Sequence, residues 1–329
     1  MAANVDHFNR KISYLRVSVT DRCNLRCVYC QPVKDLKLFN HSDILKYEEI
    51  LEVIRAATDV GIKKVRLTGG EPLVRRAFVD FVSSVCRVPR LEDVSITTNG
   101  VLLKEKAKAI FDAGVHRINV SLDSLNREKY AKITGRDRFD EVLEGLMEAE
   151  AVGFSPIKVN VVAIRGFNDD ELLQLAALSV EKPYHVRFIE YMPIGHDRQW
   201  RPEKYISSDE IKSRLEAFGP LHEVARSTLD GPATRYRFES AKGEIGLISA
   251  ISHHFCPSCN RLRLTADGKL RPCLFADDEV DIKTPLRRGC SREDLKVLFQ
   301  KAIARKPEQH HAETLGKGES LRPMSAIGG

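Results

Sequence analysis

The sequence predicts an α/β fold in which a curved, largely parallel sheet surrounds a polar concavity and a smaller domain follows. Three observations lead to this prediction. Short apolar runs alternate with helix-like stretches over the first two thirds of the chain, which is typical of parallel strands joined by crossover helices. Within these runs apolar and polar side chains alternate, so one face of the sheet is apolar and the other polar. Beyond about residue 222, closely spaced strand-like runs replace this pattern.

The N-terminal elements follow in chain order. Six apolar-rich runs predict strands at Ser13–Val19, Lys64–Thr68, Val94–Thr97, Arg117–Leu122, Ile157–Ala163 and His185–Glu190. Helical periodicity predicts helices at Lys46–Val60, Arg76–Cys86, Lys104–Asp112, Phe139–Ala151 and Asp170–Ser179. Before the last of these helices, Asn168 and Glu171 have the spacing of a capping box.

The polar strand face indicates the architecture. In the first strand Leu15 and Val17 point to one side, and Arg16 and Ser18 point to the other. A parallel sheet covered by helices on both faces would be apolar on both, and a closed eight-stranded barrel fills its interior with branched apolar side chains. We therefore expect helices outside an open, polar concavity. An amphipathic antiparallel sheet is the alternative, which the intervening helices disfavour.

The C-terminal third is predicted to be a separate, smaller unit. Ser207 and Glu210 open a helix that reaches Phe218. The further elements expected are strands at Arg235–Glu239, Ile245–Ser249 and Leu262–Thr265, a turn at Asp267-Gly268 and a helix at Arg292–Arg305. Lys306–Gly329 is expected to lack regular structure. We thus divide the chain into a partial barrel (1–222), a C-terminal α+β domain (223–290) and a terminal helix with a tail (291–329).

The composition is that of a soluble globular protein. Of the residues, 43% are hydrophobic and 30% charged, and the formal net charge is +6. No run approaches the roughly 18 apolar residues of a membrane helix, and residues 1–11 lack the apolar stretch of a signal peptide. We expect a cytoplasmic protein with neither membrane nor nucleic-acid partners, because a mild basic excess does not by itself indicate nucleic acid.

Six of the eight cysteines fall into two triplets. Cys23, Cys27 and Cys30 follow the first strand, and Cys256, Cys259 and Cys273 lie in the C-terminal domain. Three thiolates can hold an iron–sulfur cluster and leave one iron open. Zinc is the alternative at both places, and in the second His253 or His254 could supply the fourth ligand that a structural zinc site needs. Cys86 and Cys290 belong to no motif and are interpreted as incidental thiols.

The sequence around the first triplet, Asp21-Arg22-Cys23-Asn24-Leu25-Arg26-Cys27-Val28-Tyr29-Cys30, resembles the radical S-adenosylmethionine superfamily, as does Gly69-Gly70-Glu71-Pro72 after the second strand. The resemblance implies a partial (β/α)6 TIM-like barrel. The run from Cys256 to Arg263, continued by Arg271-Pro272-Cys273, resembles the members of that superfamily that cyclise GTP in molybdenum cofactor biosynthesis. This second resemblance extends from Arg16 to Gly329.

The resemblance implies a lyase reaction with two [4Fe-4S] clusters and S-adenosyl-L-methionine as cofactors. A 5′-deoxyadenosyl radical would remove hydrogen from ribose C3′ of GTP, and C3′ would then bond to guanine C8. The open iron of the second cluster would hold the guanine. The product, (8S)-3′,8-cyclo-7,8-dihydroguanosine 5′-triphosphate, would pass to cyclic pyranopterin monophosphate synthase (MoaC). An electron donor and a possible homodimer are the further partners expected.

The family positions carry over residue by residue. The S-adenosylmethionine positions are Tyr29, Gly70, Ser121 and Met192, and the GTP positions are Arg16, Arg66, Thr97, Lys158, Arg261, Leu262 and Arg263. Arg261, Arg263, Gly328 and Gly329 are expected to act in catalysis, the two glycines by entering the concavity and helping to place S-adenosylmethionine. Arg forks and a Lys charge suit a triphosphate, and strand parity independently places Arg16, Arg66, Thr97, Ser121 and Lys158 on the polar face.

Two other functions were compared with this one. A peptide-modifying radical enzyme with an auxiliary cluster generally carries more cysteines in its C-terminal extension than this chain has. A zinc-stabilised nucleic-acid-binding module would be expected to show basic clusters with exposed aromatics, but the chain has one tryptophan and no aromatic-rich basic stripe. Both interpretations are therefore disfavoured.

Overall fold

The computed structural model describes residues 4–30, 38–194, 200–225, 231–310 and 322–328. The strands in these ranges are β1 (Tyr14–Ser18), β2 (Lys64–Thr68), β3 (Asp93–Thr98), β4 (Ile118–Ser121), β5 (Ile157–Ala163), β6 (Tyr184–Glu190), β7 (Leu221–Glu223), β8 (Thr234–Phe238), β9 (Glu244–Ile248), β10 (Arg261–Leu264), β11 (Lys269–Arg271) and β12 (Val280–Asp281). The helices are α1 (Tyr47–Val60), α2 (Phe78–Cys86), α3 (Leu103–Asp112), α4 (Arg127–Thr134), α5 (Phe139–Val152), α6 (Leu172–Glu181), α7 (Ser208–Leu215), α8 (Lys283–Arg287), α9 (Arg292–Ala304) and α10 (Met324–Ile327).

All the described strands belong to one sheet in the order β12-β11-β10-β1-β2-β3-β4-β5-β6-β9-β8-β7. β1 to β6 are mutually parallel, β10 adds in parallel to β1, and β9 adds in parallel to β6. The C-terminal strands therefore extend both edges of the N-terminal sheet. The boundary at residue 222 stays a prediction about domains, but the two parts share this sheet.

Side-chain alternation builds the core between the sheet and its helices. Leu15, Val17, Val65 and Leu67 are fully buried on the outward face of β1 and β2, where the helices pack. The opposite face carries the polar side chains that line the concavity. The predicted α/β class, a partial barrel of parallel strands followed by a smaller C-terminal part, is confirmed.

Several predicted elements differ in detail. α4, α8, β7, β11 and β12 were not predicted, because each is short. α6 begins at Leu172, and the expected capping box does not form: the Asn168 carboxamide accepts from the Ile164 N–H and donates to the Asp123 and Val162 carbonyls. The tail was expected to be irregular, yet α10 is a buried helical turn. None of the described helices is long and apolar enough to span a membrane.

Candidate active site

Both cysteine triplets face a single cavity of about 280 Å³ inside the curved sheet. The six cysteine residues all line it, together with the polar faces of the parallel strands. Loops that follow the carboxyl ends of β1 and β2 carry the first triplet and Gly69–Pro72, at the end of the sheet where β/α barrels place their active sites. All six cysteines thus share one cavity, as expected. The expectation that both triplets lie at the carboxyl ends of the strands is wrong for the second, because β10 runs parallel to β1 and Cys256 and Cys259 precede it, at the amino end of the sheet.

The first triplet lies in a loop that α4 supports from outside. The Arg26 N–H donates to the Thr134 carbonyl at 2.7 Å, and the Val28 N–H donates to the Ile133 carbonyl at 2.9 Å. Burial raises the pKa of the Cys30 thiol to about 12, and burial followed by the neighbouring thiols raises the pKa of Cys27 well above its usual value. Ligation would have to remove these protons, since metals bind the thiolate form.

Gly69 and Gly70 bring the loop after β2 against the cysteine loop. A Cβ on Gly70 would lie 2.3 Å from the Arg22 carbonyl oxygen, and one on Gly69 would lie 2.5 Å from that of Thr20. The close approach that the structure requires is thus to the chain's own backbone. Glu71 then turns inward, accepts from Leu73, Thr98 and Asn99, and has its pKa raised to about 7 by burial.

The second triplet occupies a more electropositive setting. Cys256 begins a single 3₁₀ turn, and its carbonyl accepts from the buried Arg10 guanidinium at 2.9 Å. Burial would raise the pKa of Cys259, but Arg261 and Lys306 outweigh it and lower that pKa to about 6. Lys306 also donates to the Arg261 and Pro272 carbonyls. It therefore connects the segment after Cys259 to the segment before Cys273.

The predicted zinc ligands of the second triplet are directed elsewhere. The His253 Nε2 lies 2.6 Å from an Asp209 carboxylate oxygen in an exposed pair. The His254 ring packs edge-on against His310, with centroids 5.4 Å apart. Neither histidine is among the described residues that line the cavity. His310 does line it beside the three thiols, and its backbone hydrogen-bonds Cys256.

Three guanidinium groups stand side by side across neighbouring strands. Arg16 on β1 pairs in register with Arg263 on β10 and with Arg66 on β2. Because neighbouring strands lie about 4.8 Å apart, the three residues form a closely spaced row. We call this row the arginine ladder. Burial first, and then the neighbouring cations, lower the pKa of Arg16 to about 10 and that of Arg263 well below its usual range. A bound anion would stabilise this row of buried positive charges.

Arg187 extends the basic region, and sequence reasoning missed it. It points into the cavity from β6 and donates to Asn160 and Asn119. Burial, followed by Arg66, lowers its pKa to about 9. The only sequence signal for Arg187 was its place on the polar face of β6. Because β6 carries no motif, this side-chain alternation alone was not enough to identify Arg187 as a site residue.

The predicted S-adenosylmethionine positions, Tyr29, Gly70, Ser121 and Met192, all line the cavity. The Tyr29 hydroxyl donates to Asp123 at 2.6 Å, and Asp123 also accepts from the Val162 N–H. Burial raises the pKa of Asp123 to about 6. Asp123 is a second residue that sequence reasoning missed, although it lies two positions after Ser121 and shares its parity.

Most of the predicted GTP positions also meet in the cavity. Arg16, Arg66, Thr97, Arg261 and Arg263 line it. The Thr97 hydroxyl is buried and has no hydrogen-bond partner among the described residues, as expected of a group that awaits a ligand.

Two predicted GTP positions lie apart. The Leu262 side chain is fully buried in the apolar core, because alternation on β10 turns it away from Arg261 and Arg263. Lys158 lines a smaller adjoining cavity, which shares Arg187 with the main one. Burial, followed by Arg187, lowers the Lys158 pKa to about 7.

The C-terminal tail reaches both halves of the site. The Arg263 guanidinium donates to the Gly328 carbonyl at 2.5 Å, and a Ser325 backbone group hydrogen-bonds the Cys30 thiol. Gly328 has φ 87°, and a Cβ there would lie 3.0 Å from that of Ser18. Gly329 lies outside the described residues. The position of Gly328 agrees with the predicted entry of the tail into the concavity, and its catalytic role stays a prediction.

Arg322 anchors this tail to the C-terminal strands. Its guanidinium meets Asp267 at 2.9 and 3.1 Å and Glu279 at 2.8 Å. Glu279 also pairs with Arg271, which is fully buried two residues before Cys273. The tail and the second triplet are thereby connected through a shared set of ion pairs.

Comparison with known proteins agrees with this geometry. Residues 17–178 match the model of the radical SAM superfamily, and residues 184–312 match Molybdenum Cofactor Synthesis C. The GTP 3′,8-cyclase of Pelotomaculum thermopropionicum is 47% identical over 325 residues, covering 98% of this chain and 99% of that protein. That of Desulforamulus reducens is 49% identical over 326 residues, covering 99% and 100%.

The chain belongs to the GTP 3′,8-cyclase family. Solved structures of lower similarity share the fold. Streptococcus suis SuiB bound to the precursor peptide SuiA has a TM-score of 0.66 at 14% identity, covering 95% of this chain and 75% of that one. A structure of anSMEcpe with bound AdoMet has a TM-score of 0.61 at 14% identity, covering 95% and 84%. At this identity the likeness concerns the fold alone.

Membership of the GTP 3′,8-cyclase family decides between the metals left open by the cysteine spacing. Two iron–sulfur clusters and S-adenosylmethionine are the cofactors of this family. The residues present fit them, because all six cysteines line the cavity together with the buried Thr97 hydroxyl and the arginine ladder.

Proposed function

We propose that this chain is a cytoplasmic GTP 3′,8-cyclase, a lyase that converts GTP into (8S)-3′,8-cyclo-7,8-dihydroguanosine 5′-triphosphate in the first step of molybdenum cofactor biosynthesis. The arginine ladder is the observation that carries the proposal. Arg16, Arg66 and Arg263 stand in one row, inside the cavity that the two triplets share. A triphosphate supplies several negative charges in a line, and guanidinium groups bind phosphate in a bidentate manner.

The cofactor ligands are assigned by triplet. Cys23, Cys27 and Cys30 would hold one [4Fe-4S] cluster and Cys256, Cys259 and Cys273 the other. When bound with S-adenosylmethionine, the first cluster supplies a 5′-deoxyadenosyl radical. Tyr29, Gly70, Ser121 and Met192 bind S-adenosylmethionine, and Asp123 orients Tyr29 through their 2.6 Å hydrogen bond.

The chain's own residues hold GTP between the two triplets. The arginine ladder and Arg187 bind the triphosphate, the Thr97 hydroxyl donates or accepts one further hydrogen bond, and Lys158 adds a charge from the adjoining cavity. Leu262 contributes through backbone position only, because its side chain lies in the core. Arg263 has a double role, since it also holds the Gly328 carbonyl.

Arg261 and the tail act in positioning. Arg261 lies over the Phe255 ring at 4.5 Å and beside Cys259, at the guanine end of the proposed GTP site. Gly328 and Gly329 form a tip without side chains that fits a narrow space beside two cofactors. Small misplacements of reacting groups cost large rate factors, so the tip contributes by holding the reacting groups in place.

The product passes to cyclic pyranopterin monophosphate synthase, and an external donor supplies the reducing electron. A homodimer is the proposed assembly. These partner assignments derive from the family to which the chain belongs.

The experiment is anaerobic reconstitution followed by turnover. We expect about eight irons per chain, four for each cluster, and formation of the cyclised nucleotide from GTP, S-adenosylmethionine and dithionite. Cys23→Ser should abolish S-adenosylmethionine cleavage, whereas Cys86→Ser should match the wild type because Cys86 lies outside both triplets. Zinc in place of iron, or a fully loaded enzyme that leaves GTP unchanged, would refute the proposal.

A further inference from the structure

Four exposed cations surround the loop of the first triplet. Arg22 and Arg26 belong to this loop, and Lys132 and Arg136 flank the end of α4 that supports it. A Cβ on Gly135 would lie 3.1 Å from the Arg26 Cβ, and the Thr134 hydroxyl donates to the Arg136 carbonyl at 2.7 Å. These contacts place the cysteine loop, which carries Arg22 and Arg26, against the end of α4 near Lys132 and Arg136. We call these four cations the basic collar.

The charges of the basic collar are not compensated by the chain, as far as it is described. None of the four side chains lies within 4.0 Å of a carboxylate of a described residue. The neighbouring cations behave differently: Arg127 pairs with Asp137 and Asp140, and Arg138 pairs with Glu141. Ordinary surface charges on this part of the protein thus find partners, whereas the collar keeps an excess of positive charge.

The collar is also hydrogen-bonded to the backbone of the first triplet. The Arg26 guanidinium donates to the Cys23 carbonyl at 2.8 Å and to the Leu25 carbonyl at 2.9 Å. Arg26 is itself exposed. One hydrogen bond therefore connects the outer surface to the backbone of a cluster ligand, while the cavity side of the same loop faces the substrates.

We propose that the basic collar is the docking surface for a small acidic protein that carries single electrons. This inference rests on the proposed function, which requires one electron for each reductive cleavage of S-adenosylmethionine. The donor's reduced cofactor loses one electron and the cluster held by Cys23, Cys27 and Cys30 gains it, so no bond forms or breaks. Redox encounters use small interfaces, and opposite charge on the two surfaces accelerates their association.

The test compares two reductants on the reconstituted enzyme. An acidic flavodoxin in its hydroquinone form must dock, whereas dithionite is a small ion that needs no protein surface. The variant is Lys132→Glu/Arg136→Glu, because neither side chain makes a hydrogen bond with a described residue. The control is Arg288→Glu/Lys301→Glu, which changes the net charge equally at exposed positions on and beside other helices.

The expected result is selective. Reduction by flavodoxin, followed as bleaching of cluster absorbance, should slow about tenfold or more in the collar variant at low salt. The difference should shrink as salt rises, because screening removes long-range attraction. The control variant and all dithionite rates should equal those of the wild type. Titration with oxidised flavodoxin, without turnover, should show weaker binding only in the collar variant.

Equal flavodoxin rates and equal binding in the wild type and the collar variant would overturn the proposal. Slower cluster reduction by both flavodoxin and dithionite in the collar variant would also overturn the proposal, since it would show that these residues have a structural role. Failure of the proposed function is a separate outcome: the wild type would not convert GTP even with dithionite, and the binding titration would still decide whether the collar docks flavodoxin.

Discussion

Lys158 is predicted to couple GTP affinity to pH. In the free protein burial and the neighbouring Arg187 lower its pKa to about 7, whereas an unperturbed lysine titrates near 10.4. A bound triphosphate favours the charged form, so binding raises this pKa. Above pH 7 the free protein carries a neutral Lys158 and must take up a proton when GTP binds. Affinity therefore falls as pH rises from 7.

The magnitude follows from linkage. Each pH unit between the free and bound pKa values costs about 1.4 kcal/mol, or about tenfold in affinity. The neighbouring His185 does not contribute in this window, because burial lowers its pKa to about 4. The assay is anaerobic titration of the cluster-loaded protein with GTP at pH 6.5, 7.5 and 8.5, without S-adenosylmethionine.

Lys158→Met is the matched control, because it keeps the length of the side chain and removes the charge. GTP itself also titrates, but that contribution is common to both proteins. The wild type should bind more tightly than Lys158→Met at pH 6.5, and the difference should narrow by up to about tenfold per pH unit between pH 7.5 and 8.5. Parallel affinity curves over this range would refute the reasoning and remove Lys158 from the GTP site.

Other outcomes concern the ladder, the tip and its anchor. Arg263→Ala should weaken GTP binding about tenfold or more, since one charge-assisted contact contributes about 1.5–3 kcal/mol; unchanged affinity at full iron content would exclude it. Deleting Gly328 and Gly329 should leave iron content and GTP binding intact but sharply lower product formed per S-adenosylmethionine cleaved, and a full rate would show the tip to be dispensable. Arg322→Ala should increase hydrogen exchange in residues 324–328, because it breaks the ion pairs with Asp267 and Glu279, while Arg322→Lys should be intermediate. Equal exchange in all three proteins would contradict the anchor.

Strand parity was the most productive signal in the sequence. Alternation on β1 and β2 predicted that Arg16 and Arg66 face inward and Leu15 and Val65 outward, and all four do so. This works because a side-chain period of two leaves no freedom once one face is buried. The same alternation predicts that the Leu262 side chain points away from those of Arg261 and Arg263. The family resemblance had instead led us to assign Leu262 to the GTP site.

The features that sequence missed depend on contacts between distant segments. Arg10 lies 246 positions from the Cys256 carbonyl that it binds, and Arg322 lies 55 positions from Asp267. No local pattern predicts such pairs, because the sequence around a single arginine does not distinguish a solvated side chain from a buried one. The capping-box spacing of Asn168 and Glu171 failed for a related reason: tertiary hydrogen bonds to Asp123 and Ile164 replaced the local cap.

The arginine ladder explains why the two halves of the chain cannot work separately. Arg263 comes from β10, which pairs with β1 only because the C-terminal strands close on the edge of the N-terminal sheet. Like charges side by side on neighbouring strands are destabilising, so the apolar packing on the outer face of β1, β2 and β10 must hold them in register. A triphosphate placed along the row would remove that repulsion. The same pairing also carries Cys259, just before β10, to the cavity that Cys23 reaches from β1, so one strand register sets both the anion site and the distance between the two triplets.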